Sequence, residues 1–249
     1  MKLLIDLGNT RVKWAGTDAG EALEPGRGQA LAWGSDIADQ LVDAWKRWPR
    51  PQTVWAASVV DAARESALAA AVLARFGLDV NWVRTPHRAC GVTSAYADPT
   101  SMGVDRFLGL VAARADGHAP CVLASCGTAL VVDALAADGT HLGGLIAPGA
   151  ALMQQSVLGA TARVRPREPG RLRHVATSTA DALTSGSWHA CAALVDRFVA
   201  RMRADLGGAP RVLLGGGDAG VLEPLLDSPV RIYHDAVLRG LDVWARGCA

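Results

Sequence analysis

The sequence predicts an α/β protein built from two similar mixed-sheet halves, and three observations carry that prediction. Residues 2–17, KLLIDLGNTRVKWAGT, read as two strands joined at a glycine-centred turn. Residues 121–133, CVLASCGTALVVD, repeat the order of apolar strand, small-residue turn and second strand, so that Gly127 aligns with Gly8. After the first hairpin, apolar strand-like runs alternate with helical periodicity, the pattern of a sheet with helices on its faces. The halves are expected to divide into units 1–117 and 118–249.

In the first hairpin, Leu3, Leu4 and Ile5 form the continuous apolar run of a strand buried on both faces. Residues 11–14 alternate instead, with Val12 and Trp14 on one side and Arg11 and Lys13 on the other. The turn between them holds Asp6, Gly8, Asn9 and Thr10. Glycine and asparagine tolerate positive φ most readily, so a tight turn that exposes successive N–H groups to an anion is expected. Asp6 is then placed to hold a hydrated divalent cation beside that anion, and Thr10 to add a hydroxyl. A plain hairpin is the ordinary alternative; the second copy, at Ser125 to Ala129, weighs against it. That copy continues through Asp138, Gly139 and Thr140 into a third strand over 142–147.

Along the rest of the chain, 19–28 is a Gly/Pro/Glu-containing connection. Ser35 is expected to cap a helix with Ile37, Leu41, Ala44, Trp45 and Trp48 at helical spacing, stopped by Pro49 and Pro51. A strand follows over 53–60, then an Ala-rich helix capped by Asp61 and running to about 76, then a strand over 80–83. Residues 91–103 are a polar connection, and a helix from 104 places Asp105 and Arg106 in its first turn. The helix dipole favours the acid there and disfavours the arginine. In the second half a helix over about 150–159 precedes a basic loop, 163–174. The stretch Ser178 to Asp181 is expected to cap a long helix that buries Leu183, Ala190, Leu194 and Phe198, with capping the ordinary role of Thr179. A strand over 211–214 opens into Gly215, Gly216, Gly217 and Asp218, a turn able to admit a base or ribose, and the final helix covers about 235–246.

Composition bounds the function. The chain has 249 residues and a net charge of +1, with acids and bases interspersed, which predicts neither a nucleic-acid partner nor a membrane partner. The longest uncharged stretch, 143–162, contains Pro148, Gln154 and Gln155 and reads as strand, turn and helix. The N-terminus shows no cleavable signal. Five cysteines without CxxC spacing argue against a disulfide framework or a zinc site and fit a reducing cytoplasm. Cys126, inside the second hairpin, is expected to be small filler.

Two Gly/Thr hairpins in a duplicated chain resemble the actin, hexokinase and acetate-kinase superfamily. That resemblance implies a duplicated ribonuclease H-like (actin-like ATPase) fold whose paired hairpins grip ATP in an interdomain active-site cleft. The order of motifs is more specific. D-x-G-N-T from Asp6 to Thr10, Tyr96 nine residues before Asp105 in Y-x8-D-R, C-G-T-A from Cys126 to Ala129, and G-G-G-D from Gly215 to Asp218 together resemble a type III pantothenate kinase over nearly the whole chain.

The resemblance implies a cytoplasmic, homodimeric enzyme that uses ATP with Mg2+ to phosphorylate pantothenate to 4'-phosphopantothenate, the first step of coenzyme A biosynthesis. It makes Asp105 the general base and assigns Tyr96, Gly103, Val104, Asp105, Arg106 and Thr179 to pantothenate. Asp6, Gly8, Asn9, Thr10, Arg11 and Lys13, with Gly127 and Thr128, fall to ATP, and Asp6 to Mg2+ through water. A monovalent cation, K+ or NH4+, is also implied, but Ser125 stands where the family usually has an acid. An alcohol is a poor nucleophile, so one carboxylate accepting its proton plus metal-neutralised phosphates is a sufficient set. Two other readings stay open: a transcriptional accessory protein on the same scaffold, and a kinase for a different small alcohol.

Overall fold

The computed structural model describes residues 1–18, 20–161, 164–166 and 168–247. Two five-stranded sheets of identical strand order organise it. The first is β3-β2-β1-β4-β5, from β1 (Lys2–Leu7), β2 (Arg11–Thr17), β3 (Gln29–Ala32), β4 (Thr53–Ser58) and β5 (Val80–Val83). Helices α1 (Ile37–Ala44) and α2 (Ala62–Phe76) interrupt these strands; the short pair β6 (Arg88–Ala89) and β7 (Val92–Thr93) and helix α3 (Val104–Ala115) follow. The second sheet is β10-β9-β8-β11-β12, from β8 (Cys121–Cys126), β9 (Ala129–Leu135), β10 (His141–Pro148), β11 (Arg211–Gly215) and β12 (Val230–Ile232). Helices α4 (Ala150–Ala160), α5 (Thr179–Met202) and α6 (Ala219–Leu222) lie among them, and α7 (Ala236–Ala245) closes the chain.

In each sheet the hairpin strands pair antiparallel, β1 with β2 and β8 with β9, and the later strands add in parallel, β4 and β5 or β11 and β12. The duplication expected from the two glycine turns is therefore a duplication of topology. Short strands β3 and β12 complete the sheets; at four and three residues they are too brief for a period to stand out in the sequence.

One face of the first sheet sends Leu3, Ile5, Leu7, Val12 and Trp14 against α1 and α2. Trp45 meets Trp14 edge-on, ring centroids 6.0 Å apart, and lies 5.6 Å from Phe76. The other face sends Leu4 and Ala15 against Val104 and Leu108 of α3 and Leu238 and Leu241 of α7. Side chains alternate along a strand, so Asp6 shares the face of Leu4, the face that α3 and α7 cover.

The chain separates into two compact units, Met1–His118 with Gly139–His141 and His234–Ala249, and Ala119–Asp138 with Leu142–Tyr233. A single division after residue 117 misses the return of the last helix to the first unit. The physical reason is a close helix crossing: a Cβ on Gly240 would stand 2.1 Å from the Leu108 carbonyl oxygen, so only glycine lets α7 approach α3. Asp242, 1% exposed, secures the same helix by accepting the Leu23 N–H at 3.0 Å.

The expected cap holds at Asp61, whose carboxylate accepts the Arg64 N–H at 3.0 Å; in the Ser178 to Asp181 stretch the cap is Ser178, whose hydroxyl accepts the Asp181 N–H at 3.2 Å, and Thr179 is the first helical residue. Helix α1 starts after Asp36 rather than at a Ser35 cap and ends at Ala44, short of Trp48. Helix α5 buries Cys191, Val195, Phe198 and Val199; Ala190 is exposed, so the inward stripe is rotated from the one its leucines suggested.

Candidate active site

Asp6 is 5% exposed and sits in β1 opposite Lys13 of β2, whose Nζ lies 4.0 Å from its carboxylate. Burial pushes its pKa up to about 6, Lys13 opposes that, and the negative charges of Asp105 and Asp235 add to it. The convergence follows from the fold. Asp6 faces α3 and α7, Asp105 stands in the first turn of α3, and Asp235 immediately precedes α7, so two helix N-termini bring their acids to the buried strand carboxylate.

Asp105 turns one oxygen back on the helix start, where Oδ1 accepts the Arg106 N–H at 2.8 Å. A Cβ on Gly103 would lie 2.6 Å from that oxygen, so glycine at 103 makes room for this carboxylate. Arg106, 8% exposed, donates to the Tyr96 hydroxyl at 2.8 Å and lies 5.5 Å from that ring's centroid. The arginine unfavourable to the helix dipole thus has a partner outside the helix. His141 stacks on Tyr96, centroids 6.1 Å apart and planes 10° off parallel. Its segment is docked by the bond from the Thr93 N–H to the Gly139 carbonyl, 3.0 Å.

The first turn differs from its expected conformation. Neither Gly8 nor Asn9 adopts positive φ, and neither does Gly127 in the second turn. A Cβ on Gly8 would make an ordinary 3.4 Å contact with the Arg11 carbonyl, and one on Gly127 would meet no described atom within 4 Å. Backbone strain and local packing therefore do not demand these glycines. What they provide is open backbone, which suits a group that must come close to the main chain.

In the second unit the hairpin is held by backbone. The Gly127 N–H donates to the Ala129 carbonyl at 3.0 Å, the Gly149 N–H to the Thr128 carbonyl at 2.9 Å, and the Asp218 N–H to the Cys126 carbonyl at 3.1 Å. A Cβ on Gly149 would lie 1.9 Å from the Gly127 carbonyl oxygen, and one on Gly216, at φ +94°, 2.1 Å from that of Cys126. The triple-glycine turn is in part a packing requirement of the hairpin. Cys126 is buried filler, as expected: its hydrogen bond to Cys191 and its burial both hold the thiol protonated. Cys121, Cys126 and Cys191 are free.

The structure thus gathers Asp6, Lys13 and Asp105 into one electrostatic group and Tyr96 and Arg106 into one hydrogen-bonded pair. Val104, beside them, is buried in the core. Thr10 and Arg11 lie exposed at the first turn, and Ser125 is exposed in β8. Thr179 opens α5, twelve residues before the Cys191 that touches the second hairpin, about 18 Å along a helix axis.

A family model described as type III pantothenate kinase matches residues 2–201. Among curated proteins, the type III pantothenate kinase of Nitrosospira multiformis is 36% identical over 98% of this chain and 90% of its own length. That of Xanthomonas oryzae pv. oryzae is 40% identical over 99% and 98%. The chain belongs to the type III pantothenate kinase family. Solved structures similar in fold include a putative 2-dehydro-3-deoxygalactonokinase from Sinorhizobium meliloti, TM-score 0.61 at 17% identity, covering 99% of this chain and 96% of its own. A putative Baf family transcriptional activator from Campylobacter jejuni gives 0.57 at 18%, covering 98% of each. At such identities these two share the fold of this chain and nothing finer.

For a member of this kinase family the donor chemistry fits a hard divalent cation. The negative charges of Asp105 and Asp235 bear on the Asp6 carboxylate, and oxygen is the ligand Mg2+ prefers. Among the described residues no group of three His, Cys, Asp or Glu side chains is placed to hold a metal ion by itself. Asp235 escaped sequence reasoning. Its signal was only an acid before an apolar helix, and its φ of 53° is not written in the sequence.

Proposed function

We propose that this chain transfers the γ-phosphoryl group of ATP to the terminal hydroxyl of pantothenate, giving 4'-phosphopantothenate for coenzyme A biosynthesis. Family membership supports the activity, and the observation that carries the mechanism is the placement of Asp105 at the N-terminus of α3 beside Arg106. Asp105 is the general base. A helix N-terminus favours a carboxylate at its first turn, and Asp105 accepts the hydroxyl proton there.

Arg106 and Tyr96, locked together, bind the pantothenate carboxylate and amide oxygens with Gly103, Val104 and Thr179. Asn9, Thr10 and Arg11, with Gly8 and Lys13, serve ATP phosphates from the first hairpin, and Gly127 and Thr128 from the second. Bound Mg2+ would neutralise phosphate charge, and Asp6 would hold it through water. K+ or NH4+ occupies a weaker site than is usual in the family, because Ser125 offers a neutral oxygen. A homodimer suits the second unit, whose edge strand β10 and helix α4 expose Leu142, Leu145, Ile146, Leu152 and Val157. No described helix is long and apolar enough to cross a membrane, and we place the enzyme in the cytoplasm.

A coupled ADP-release assay with pantothenate, pantetheine and several sugars tests the substrate. Stimulation by pantothenate is expected; stimulation by a sugar alone, or by nothing, would overturn the assignment.

A further inference from the structure

The turn of the first hairpin is held from outside by a tryptophan that the chemistry above does not use. Trp33 follows β3, and both of its nitrogens reach the turn. The indole N–H donates to the Gly8 carbonyl at 2.7 Å, and the backbone N–H donates to the Thr10 carbonyl at 3.3 Å. The Arg64 guanidinium lies 5.0 Å from the centroid of the indole, and Arg64 is itself 3.6 Å from the Asp61 carboxylate that caps α2. The ring is thereby fixed between a helix N-terminus and the turn.

A trans peptide is planar, with its C=O and N–H pointing in opposite directions. Holding the Gly8 carbonyl on the indole therefore aims the Asn9 N–H away from Trp33. The Gly8 N–H is taken by the Arg11 carbonyl at 3.1 Å, whereas Asn9 is exposed and its N–H donates to no described residue. One donor of this turn is thus both open and oriented. Rotating that peptide would turn a carbonyl oxygen toward the place of the donor, repelling an anion, and would break the indole bond.

We propose that Trp33 is a positioning residue for ATP: it locks the Gly8–Asn9 peptide so that the Asn9 N–H faces a phosphate oxygen. The proposal rests on the ATP-binding reading of this hairpin and deepens it. Trp33 acts through the backbone and touches no reacting atom.

Trp33→Phe keeps an aromatic ring for Arg64 and deletes the indole N–H. We expect the KM for Mg-ATP to rise about three- to tenfold, the factor associated with one hydrogen bond, with the KM for pantothenate unchanged. An equal rise in both KM values would mark a merely structural effect and overturn the proposal. Gly8→Ala, measured in parallel, separates the two levels. A raised Mg-ATP KM in Gly8→Ala beside an unchanged one in Trp33→Phe overturns the positioning role alone; unchanged values in both overturn the hairpin reading as well. Should Trp33→Phe fail to fold, solvent exchange of the Trp33 indole N–H in the wild-type protein, followed by 15N NMR, decides. Slow exchange that slows further with a non-hydrolysable ATP analogue supports the lock, and fast exchange indifferent to the analogue overturns it.

Discussion

The two glycine hairpins share a sequence pattern and a place in their sheets, yet they are held by different means. The first adds a side-chain grip to its backbone bonds and is set among charges: the Trp33 indole holds its turn, Lys13 faces Asp6, and Asp105 and Asp235 bear on the same carboxylate. The second is gripped by backbone, with Gly149 and Gly216 pressed onto its carbonyls and the Asp218 N–H donating to the Cys126 carbonyl. The same strand order thus carries two turns in different surroundings. Carboxylates converge at the first, and close glycine packing secures the second.

The largest effect that could break this comparison concerns the acid of the charged unit. Asp105→Asn should lower kcat by about 10²–10⁴-fold, the range of a general base, with an unchanged melting temperature; a near-normal kcat would move the base elsewhere. Next comes the backbone-held hairpin. Gly216→Ala places a Cβ against the Cys126 carbonyl at a left-handed φ and should destabilise the protein by roughly 2–4 kcal/mol in urea denaturation. Gly127→Ala, in open space, should leave stability nearly intact and raise the KM for Mg-ATP instead. The reverse pattern would erase the distinction between packing glycines and ligand glycines.

The charge on Asp6 gives a third, pH-dependent test. Its folded pKa, about 6, stands above the unfolded value of 3.8, so between those values the native state holds a proton that the unfolded state has lost. Stability should therefore fall as pH rises through that window, by roughly 2–3 kcal/mol in the ligand-free protein. Asp6→Asn should remove the fall. Chemical denaturation of the pair at pH 4 and pH 7 measures it, and parallel behaviour of the two proteins would deny the buried charge. The smallest effect is expected at the second hairpin: Ser125→Asp should increase the stimulation of turnover by KCl over NaCl, and a variant as indifferent to the cation as the parent would exclude position 125 as its site.

Much of this was legible in the sequence because the signals are local. The two turns, the Asp61 cap, a cap within Ser178 to Asp181 and the acid in the first turn of α3 each depend on neighbours within a few residues. What was not legible depends on distant contacts. The return of α7 to the first unit turns on Gly240 meeting Leu108, and a glycine in a helix looks like a weak spot, not a crossing point. Trp33, between exposed Ala32 and Gly34, gave no sign of its bond to Gly8. The expected positive φ at Gly8 and Asn9 reasoned from residue preference, which states what a glycine tolerates and not what the turn requires.

The most direct measurement of the central claim is the product itself. With Mg-ATP and pantothenate, 31P NMR should show a phosphomonoester on the terminal hydroxyl of pantothenate accumulating as fast as ADP appears, and no such signal above background with Asp105→Asn. ADP released without that phosphomonoester, or the same product formed equally well by the variant, would contradict the account.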